Sequence, residues 1–403
     1  MTKGALNVFT GTALAGRLDR SDRDADTLLF TYRTACAAEY AVSLTMPVRA
    51  DQYDSMSGLL PIFEMNLPEG ALRERLRLQF AKTIPEFDDL DMLSIVGASQ
   101  IGRLRYSTQP QLDENVPQQD LAEILKYRGS TDLFAHLLEQ FAKYSGISGV
   151  QPKVLVREAK APGKLMHRGA THIVKTFDAG EYPELAANEF ICTQGAAAAG
   201  IVTSRVRLAE NRRFLVVDRF DLTTQGAYLG SEDFCVLDGR RAHGRYDGSY
   251  EGIAKRIGDF VSASALSEAR EQYALLVAYC CTIENGDAHL KNFSVLYANP
   301  ESEVRLAPAY DIIATTPYMP RDTLALTLAS SKTFPDRKRL LKFVRQVTGR
   351  NEVAAARLLD QVKAGVNAAI AQTKSYAKAH PDTKAFKESL LAAMQRGLQR
   401  LRA

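Results

Sequence analysis

Cysteine is scarce in this chain and never falls at a metal-binding or redox spacing. Cys36, Cys192, Cys235, Cys280 and Cys281 are odd in number, contain no Cys-x-x-Cys pair, and include two neighbours in an apolar stretch. That argues against a disulfide framework and a zinc site and points to a reducing compartment, the cytoplasm. Long apolar runs are also missing. The longest, Tyr273 to Ile283, is about half of what a bilayer span requires, so no membrane association is expected. Arg17, Asp19 and Arg20 fall where a secretory leader would need an apolar segment and a cleavage site. No period of 20 to 50 residues recurs, and no Walker A spacing occurs. The net charge of +4 is too small to make nucleic acid the main partner, although a local basic face is compatible with it.

What is present is an ordinary globular composition over 403 residues, more than one core usually serves. The spacing divides the chain into three: 1–107, 108–230 and 231–403. In the first, residues 5–9, 27–32 and 41–44 read as short strands, and a helix should follow Asn66-Leu67-Pro68-Glu69, with Leu72, Leu76 and Phe80 on one face. A polar stretch from Pro110 to Pro117 leads into the second part. There a helix over 133–144 precedes strands near 154–156, 171–175, 206–208 and 214–217, with a helix over 184–199 between them. The third part is mainly helical, with apolar stripes at Ala274, Val277 and Cys281 and at Leu358, Leu359, Val362, Val366 and Ile370. Strands first and helices after make an α+β, two-lobed plan.

The polar residues that carry chemistry follow an order. Glu284-Asn285-Gly286-Asp287-Ala288-His289-Leu290-Lys291-Asn292-Phe293-Ser294 is followed, nineteen positions after Asn292, by Asp311 in Tyr310-Asp311. An Asp, an Asn five residues on and a later Asp is the order used by protein-kinase-like phosphotransfer sites. Asp287 would align the attacking hydroxyl and accept its proton. Lys291 would neutralise charge on the transferred phosphoryl group. His289 would brace the loop, and Asn292 and Asp311 supply oxygens that suit Mg²⁺. Upstream, Lys175 ends a strand from which it can reach phosphate oxygens, and Glu189 on the next helix is its expected counter-charge. Ser148-Gly149-Val150-Gln151-Pro152-Lys153 is either an ordinary turn or a phosphate-approaching loop. Asp218-Arg219-Phe220-Asp221 closes a strand where a hinge between lobes would offer backbone groups to an adenine. The basic run from Arg337 to Arg350 is a solvated helix face or a phosphate-contacting surface for DNA or RNA.

Together these motifs resemble the HipA family of bacterial toxin kinases. The Asp287-x-His289-x-Lys291-Asn292-Phe293-Ser294 stretch is the specific part; Ser148 to Lys153, Thr171-His172-Ile173-Val174-Lys175, Asn188-Glu189, Asp218 to Asp221 and Tyr310-Asp311 match in order. The resemblance implies a protein-kinase-like fold with an extra N-terminal β-rich subdomain and a helical C-terminal lobe, a serine/threonine protein kinase activity, and ATP and Mg²⁺ as cofactors. It implies that Asp287 is the catalytic Asp, with Lys291 and His289 beside it. Ser148, Gly149, Val150, Gln151, Pro152 and Lys153 would form the phosphate loop. Lys175 and Glu189, the hinge residues Asp218, Arg219 and Phe220, and His289, Leu290, Lys291, Asn292, Tyr310 and Asp311 would complete the nucleotide site, Asn292 and Asp311 holding the metal. It further implies a toxin of a type II toxin–antitoxin module that arrests translation by phosphorylating an aminoacyl-tRNA synthetase. Its partner would be a helix-turn-helix antitoxin of HipB type, which carries it to operator DNA. Gly146 stands where the best-known form has an autophosphorylated Ser, leaving Ser148 as the candidate for self-modification. Two other readings stand beside it: a small-molecule phosphotransferase using the same Asp and Asn, and a co-repressor acting mainly on DNA, motivated by the basic run 337–350.

Overall fold

The computed structural model describes all residues except 1–3, 25–26, 57, 85, 130–131, 150, 160–167 and 403. Its first strands, β1 (Leu6–Thr10) and β2 (Ala13–Arg20), are joined at Gly11, whose φ of +62° suits the tight turn between them. With β3 (Leu28–Tyr32), β4 (Tyr53–Ser55) and β5 (Leu104–Ser107) they form an antiparallel sheet of order β4-β3-β2-β1-β5. Leu6, Val8, Leu18 and Phe30 alternate onto its buried face and meet Phe63 and Tyr106. The strand expected at 41–44 is absent. That segment follows a single 3-10 turn, Ala38–Tyr40, and makes one isolated bridge, Ser43 to Met46. Conversely, β2 was not expected, because Arg17, Asp19 and Arg20 hide its alternation. Helices α1 (Pro61–Glu64), α2 (Gly70–Phe80) and α3 (Asp89–Val96) pack against this sheet's core. Leu72 and Leu76 of α2 are buried as expected, and Asn66 lies before the helix. Its Oδ1 accepts a bond from the buried Tyr106 hydroxyl at 2.7 Å.

The short strand β6 (Gln118–Gln119) leads to α4 (Leu121–Leu125) and α5 (Leu133–Phe141), then to β7 (Lys153–Glu158) and β8 (His172–Thr176). The chain continues through α6 (Leu185–Ala198) and β9 (Val206–Leu208) to β10 (Phe214–Asp218), β11 (Gly230–Asp233) and α7 (Phe234–Leu237). A second sheet sets β6, β7, β8 and β10 side by side in that order. Beyond it come α8 (Tyr250–Phe260), α9 (Leu266–Thr282), β12 (Ser294–Tyr297), β13 (Arg305–Leu306), α10 (Arg337–Thr348), α11 (Glu352–Ala379) and α12 (Lys384–Arg402).

These elements fall into two units. The first holds Met1–Thr176, Ala209–Ala242 and Val295–Val304; the second holds Phe177–Leu208, His243–Ser294 and Arg305–Ala403. In the second unit α9 is buried on every side from Tyr273 to Thr282, which is why its sequence is apolar all round without being a membrane span. Among the described residues no helix is long and apolar enough to cross a membrane. Leu359, Val362 and Val366 of α11 are fully buried, as their stripe required. The basic helix α10 is capped by Asp336, whose side chain accepts from the Arg339 N–H at 2.8 Å. Three of the six positive charges from Arg337 to Arg350 serve local structure: Arg339 donates to the Leu328 carbonyl, Arg345 pairs with Glu352, and Arg350, just past the helix, pairs with Glu271.

Candidate active site

Helix α9 ends at Thr282, and Glu284, at φ +59°, turns the chain out of it. The buried Asn285 then accepts from the Asp287 N–H at 2.9 Å through its side-chain oxygen, while the Gly286 N–H donates to Thr315 Oγ1 at 2.8 Å. His289 N–H donates to Asn292 Oδ1 at 3.0 Å across the turn Leu290–Asn292. The Tyr310 hydroxyl donates to the Lys291 carbonyl at 2.7 Å, tying the segment that carries Asp311 to this turn. Asp311 itself sits at φ +53°, a left-handed conformation uncommon for a residue with a side chain and frequent at functional sites. Asp287, His289, Lys291, Asn292, Tyr310 and Asp311 are thus gathered within the second unit.

Their electrostatics follow from burial and crowding. Burial, with the nearby charges of Asp311 and Asp322, pushes the Asp287 carboxyl up to about 6, against a hydrogen bond from the Tyr246 hydroxyl that pulls it down. Burial, reinforced by the Arg245 and Lys291 charges, holds His289 down to about 4. The imidazole is therefore neutral at physiological pH and cannot serve as an acid there. Its buried Nδ1 has no hydrogen-bond partner among the described residues, and its ring meets Tyr246 edge-on with centroids 5.1 Å apart. The oxygen donors of Asn292 and Asp311 fit a hard cation such as Mg²⁺, and a cation there would relieve the carboxylate crowding around Asp287. Among the described residues no group of three or more His, Cys, Asp or Glu is arranged to hold a metal by itself, so nucleotide phosphates and water would have to complete the shell.

Behind the loop lies a network that the sequence did not announce. Burial raises the Glu284 carboxyl, but bonds from Arg396, Thr316 and Arg400 outweigh this and hold it below its usual value. Arg396 reaches it at 2.5 Å and Arg400 at 2.8 Å, both from α12. The α12 backbone at Gly397 lies so close to the Thr282 carbonyl that a Cβ there would come within 1.7 Å of the oxygen. The C-terminal helix is thereby fastened to the root of the Asp287 loop. Replacing Glu284 with Gln should destabilise the second unit by about 1–2 kcal/mol, a charged-bond loss discounted because Arg396 is half exposed. Thermal melts of the two proteins at neutral pH would check this.

In the first unit, Lys153 of β7 and Lys175 of β8 are register partners on adjacent antiparallel strands, and both are buried. Their positive charges thus lie on neighbouring strands, where an anion would lower their mutual repulsion. The Lys153 ammonium donates to the Ser148 carbonyl at 3.1 Å, closing the loop that contains Gly149, Gln151 and Pro152. Val150 lies outside the described residues. At Gly146 a Cβ would fall about 2.1 Å from the Gln100 side chain, which accounts physically for glycine where the resemblance would place a serine. Ser145 is occupied as well: its hydroxyl donates to the Phe141 carbonyl and accepts from the Leu155 N–H.

Asp218 ends β10 beside His172, at 3.4 Å. Arg219 is fully engaged in the interior, bonding both Asp221 oxygens and the carbonyls of Ala170 and Gln100. Its N–H is committed as well, donating to the Thr171 carbonyl at 3.2 Å. Phe220 is partly buried beside it. In the second unit Glu189 is buried on α6, and its neighbour Asn188 clamps the Ala314 peptide through two bonds of 2.9 and 3.0 Å.

Sequence reasoning missed Tyr246, Asp322, Arg396 and Arg400. The Arg pair, spaced i, i+4 on one helix face, was visible as a pair but nothing in the sequence indicated its target.

Two family profiles match: the HipA N-terminal domain over residues 6–107 and the HipA-like C-terminal domain over residues 145–370. Among curated proteins, Putative kinase Y4mE of Sinorhizobium fredii (strain NBRC 101917 / NGR234) is 27% identical over 339 residues, covering 79% of each chain. Putative kinase Y4dM of the same strain is 27% identical over 293 residues; the alignment covers 68% of this chain and 66% of that protein's length. Among solved structures, the Shewanella oneidensis MR-1 toxin–antitoxin complex of HipA, HipB and operator DNA contains a similar chain. It has a TM-score of 0.65 at 17% identity and is covered over 97% of its length by 98% of this one. At that identity the likeness establishes a shared α+β fold.

Proposed function

Because the chain belongs to the HipA family, we propose that it is an ATP- and Mg²⁺-dependent serine/threonine protein kinase acting as the toxin of a toxin–antitoxin module. The observation that carries this reading is the gathering of Asp287, Asn292 and Asp311 in one unit, with Asp287 held at the mouth of a turn braced by Asn285 and Thr315. In this reading the acceptor hydroxyl donates to Asp287, its oxygen attacks the γ-phosphorus, the bond to the β,γ-bridging oxygen breaks, and the proton passes to the Asp287 carboxylate. Lys291 stabilises charge on the transferred group, and Lys153 and Lys175 bind nucleotide phosphates. Asn292 and Asp311 would hold Mg²⁺, which when bound neutralises phosphate charge. Asp218 to Phe220 would offer hinge backbone to the adenine, and Ser148 is the candidate for self-phosphorylation. The division 1–107, 108–230 and 231–403 would then be the β-rich subdomain, the nucleotide lobe and the catalytic lobe.

The partner proposed is a small helix-turn-helix antitoxin that carries the chain to operator DNA; the similar Shewanella HipA is found in a complex with HipB and its operator DNA. The acceptor is a protein, with an aminoacyl-tRNA synthetase as the first candidate, and the cytoplasm is the compartment. Incubation with γ-labelled ATP, Mg²⁺ and a bacterial lysate should label serine or threonine of a discrete protein. ATP turnover stimulated by a small metabolite, with no labelled protein, would overturn the protein-kinase reading.

A further inference from the structure

The short turn Ala242–Tyr246 delivers a phenol to the candidate catalytic carboxylate, a contact that none of the sequence motifs contains. The Tyr246 hydroxyl donates to Asp287 Oδ1 at 2.9 Å, and its ring meets His289 edge-on at an interplanar angle of 80°. Two contacts on one loop, through the ring and through the hydroxyl, fix both the place and the direction of the donor.

Packing alone does not explain this residue. Tyr246 is 46% exposed, so its ring gains only part of the burial that would make an aromatic worthwhile as core. Asp287, in contrast, has reason to need a neutral donor. Asp311 and Asp322 both repel its charge, and an unrestrained carboxylate would rotate away from them. Asp322 is itself held, since it accepts from the Thr315 hydroxyl, the same side chain that receives the Gly286 N–H. Burial and the Asp287 charge keep the Tyr246 phenol protonated far above physiological pH, so it stays a donor throughout the working range.

We propose that Tyr246 is a positioning residue for phosphoryl transfer, whose hydroxyl fixes the Asp287 carboxylate through Oδ1 and leaves Oδ2 for the acceptor hydroxyl. The proposal rests on the kinase reading of Asp287 given above. A carboxylate free to turn would spend only part of its time aligned, and a misplacement of about 1 Å at a reacting group costs on the order of 100-fold in rate.

The test compares the full chain with Tyr246→Phe, Asp287→Asn and the double variant, measuring ADP release from Mg·ATP, thermal melting and phosphotyrosine by peptide mapping. Tyr246→Phe should lower kcat about 10- to 100-fold, leave KM for ATP unchanged, lower the melting temperature only slightly through the one hydrogen bond lost, and have no further effect on the residual rate of the Asp287→Asn protein. That non-additivity is what a merely structural tyrosine would not produce. Faster ADP release by Tyr246→Phe would show that the phenol occludes the acceptor position, and phosphotyrosine at 246 would show that it is an acceptor; either result overturns the proposal. Unchanged kcat with an inactive Asp287→Asn would overturn the proposal and leave the kinase reading standing. Full activity in Asp287→Asn would sink the kinase reading first.

Discussion

Asp287→Asn should make the second unit more stable at neutral pH by about 1–3 kcal/mol while lowering phosphoryl transfer about 1,000-fold or more. The gain follows from the carboxyl lying near 6 in the folded protein rather than at its ordinary 3.8. The folded state then binds the proton more tightly than the unfolded chain, so ionisation above about pH 6 costs folding free energy. The stability tied to this group is recovered as pH falls through 6 toward 4. The range is discounted because Asp287 keeps a face open to solvent. Denaturant titrations of nucleotide-free wild type and Asp287→Asn across that pH interval should show a difference that is largest at neutral pH and shrinks on acidification. A variant that is less stable at every pH would contradict the electrostatic account. Loss of function with gain of stability is the pattern expected where like charges are held together for chemistry.

The largest expected loss of stability lies in the first unit. The Arg219 and Asp221 side chains are almost wholly buried and paired at 2.5 Å, and Asp221 also accepts the Gly102 N–H at 2.6 Å. Burial pushes the Asp221 carboxyl up, but the Arg219 charge and bonds outweigh this and hold it below its usual value. Through Gly102 and Gln100 the pair joins the end of β10 to the segment preceding β5. Asp221→Ala would leave a guanidinium buried without its counter-ion, which costs about 3–5 kcal/mol. Arg219→Met with Asp221→Leu should recover most of that loss, because the desolvation of both charges disappears together. Urea titrations of the two variants would separate these outcomes. Equal damage from both would mean that the hydrogen bonds, and not the stranded charge, dominate.

The residues legible in the sequence were those whose spacing is local. Asp287, Asn292 and the turn between them lie within six positions, and a helical stripe such as Leu359, Val362 and Val366 repeats at its own period. Lys175 could be placed at the end of a strand, but Lys153 was read as the last residue of a turn, and its place on β7 opposite Lys175 depended on register, which strand propensity does not set. Tyr246 lies 41 residues from Asp287, and Arg396 and Arg400 lie 112 and 116 from Glu284. Such contacts are decided by how helices pack, and neither partner carries a local sign of the other. The false strand at 41–44 has the same origin. Its apolar residues were read as a strand face, yet Ala41 and Val42 are buried in an irregular segment whose Ser43 hydroxyl and Leu44 N–H bond Glu232.

The central claim is that Asp287 directs a γ-phosphoryl group to a protein hydroxyl. Parallel incubations of wild type and Asp287→Asn with lysate and Mg²⁺, one with ATP labelled at the γ-phosphorus and one at the α-phosphorus, test it most directly. The account predicts acid-stable label on serine or threonine from the γ-position alone, and none with Asp287→Asn. Label from the α-position, or equal label from both proteins, would contradict it.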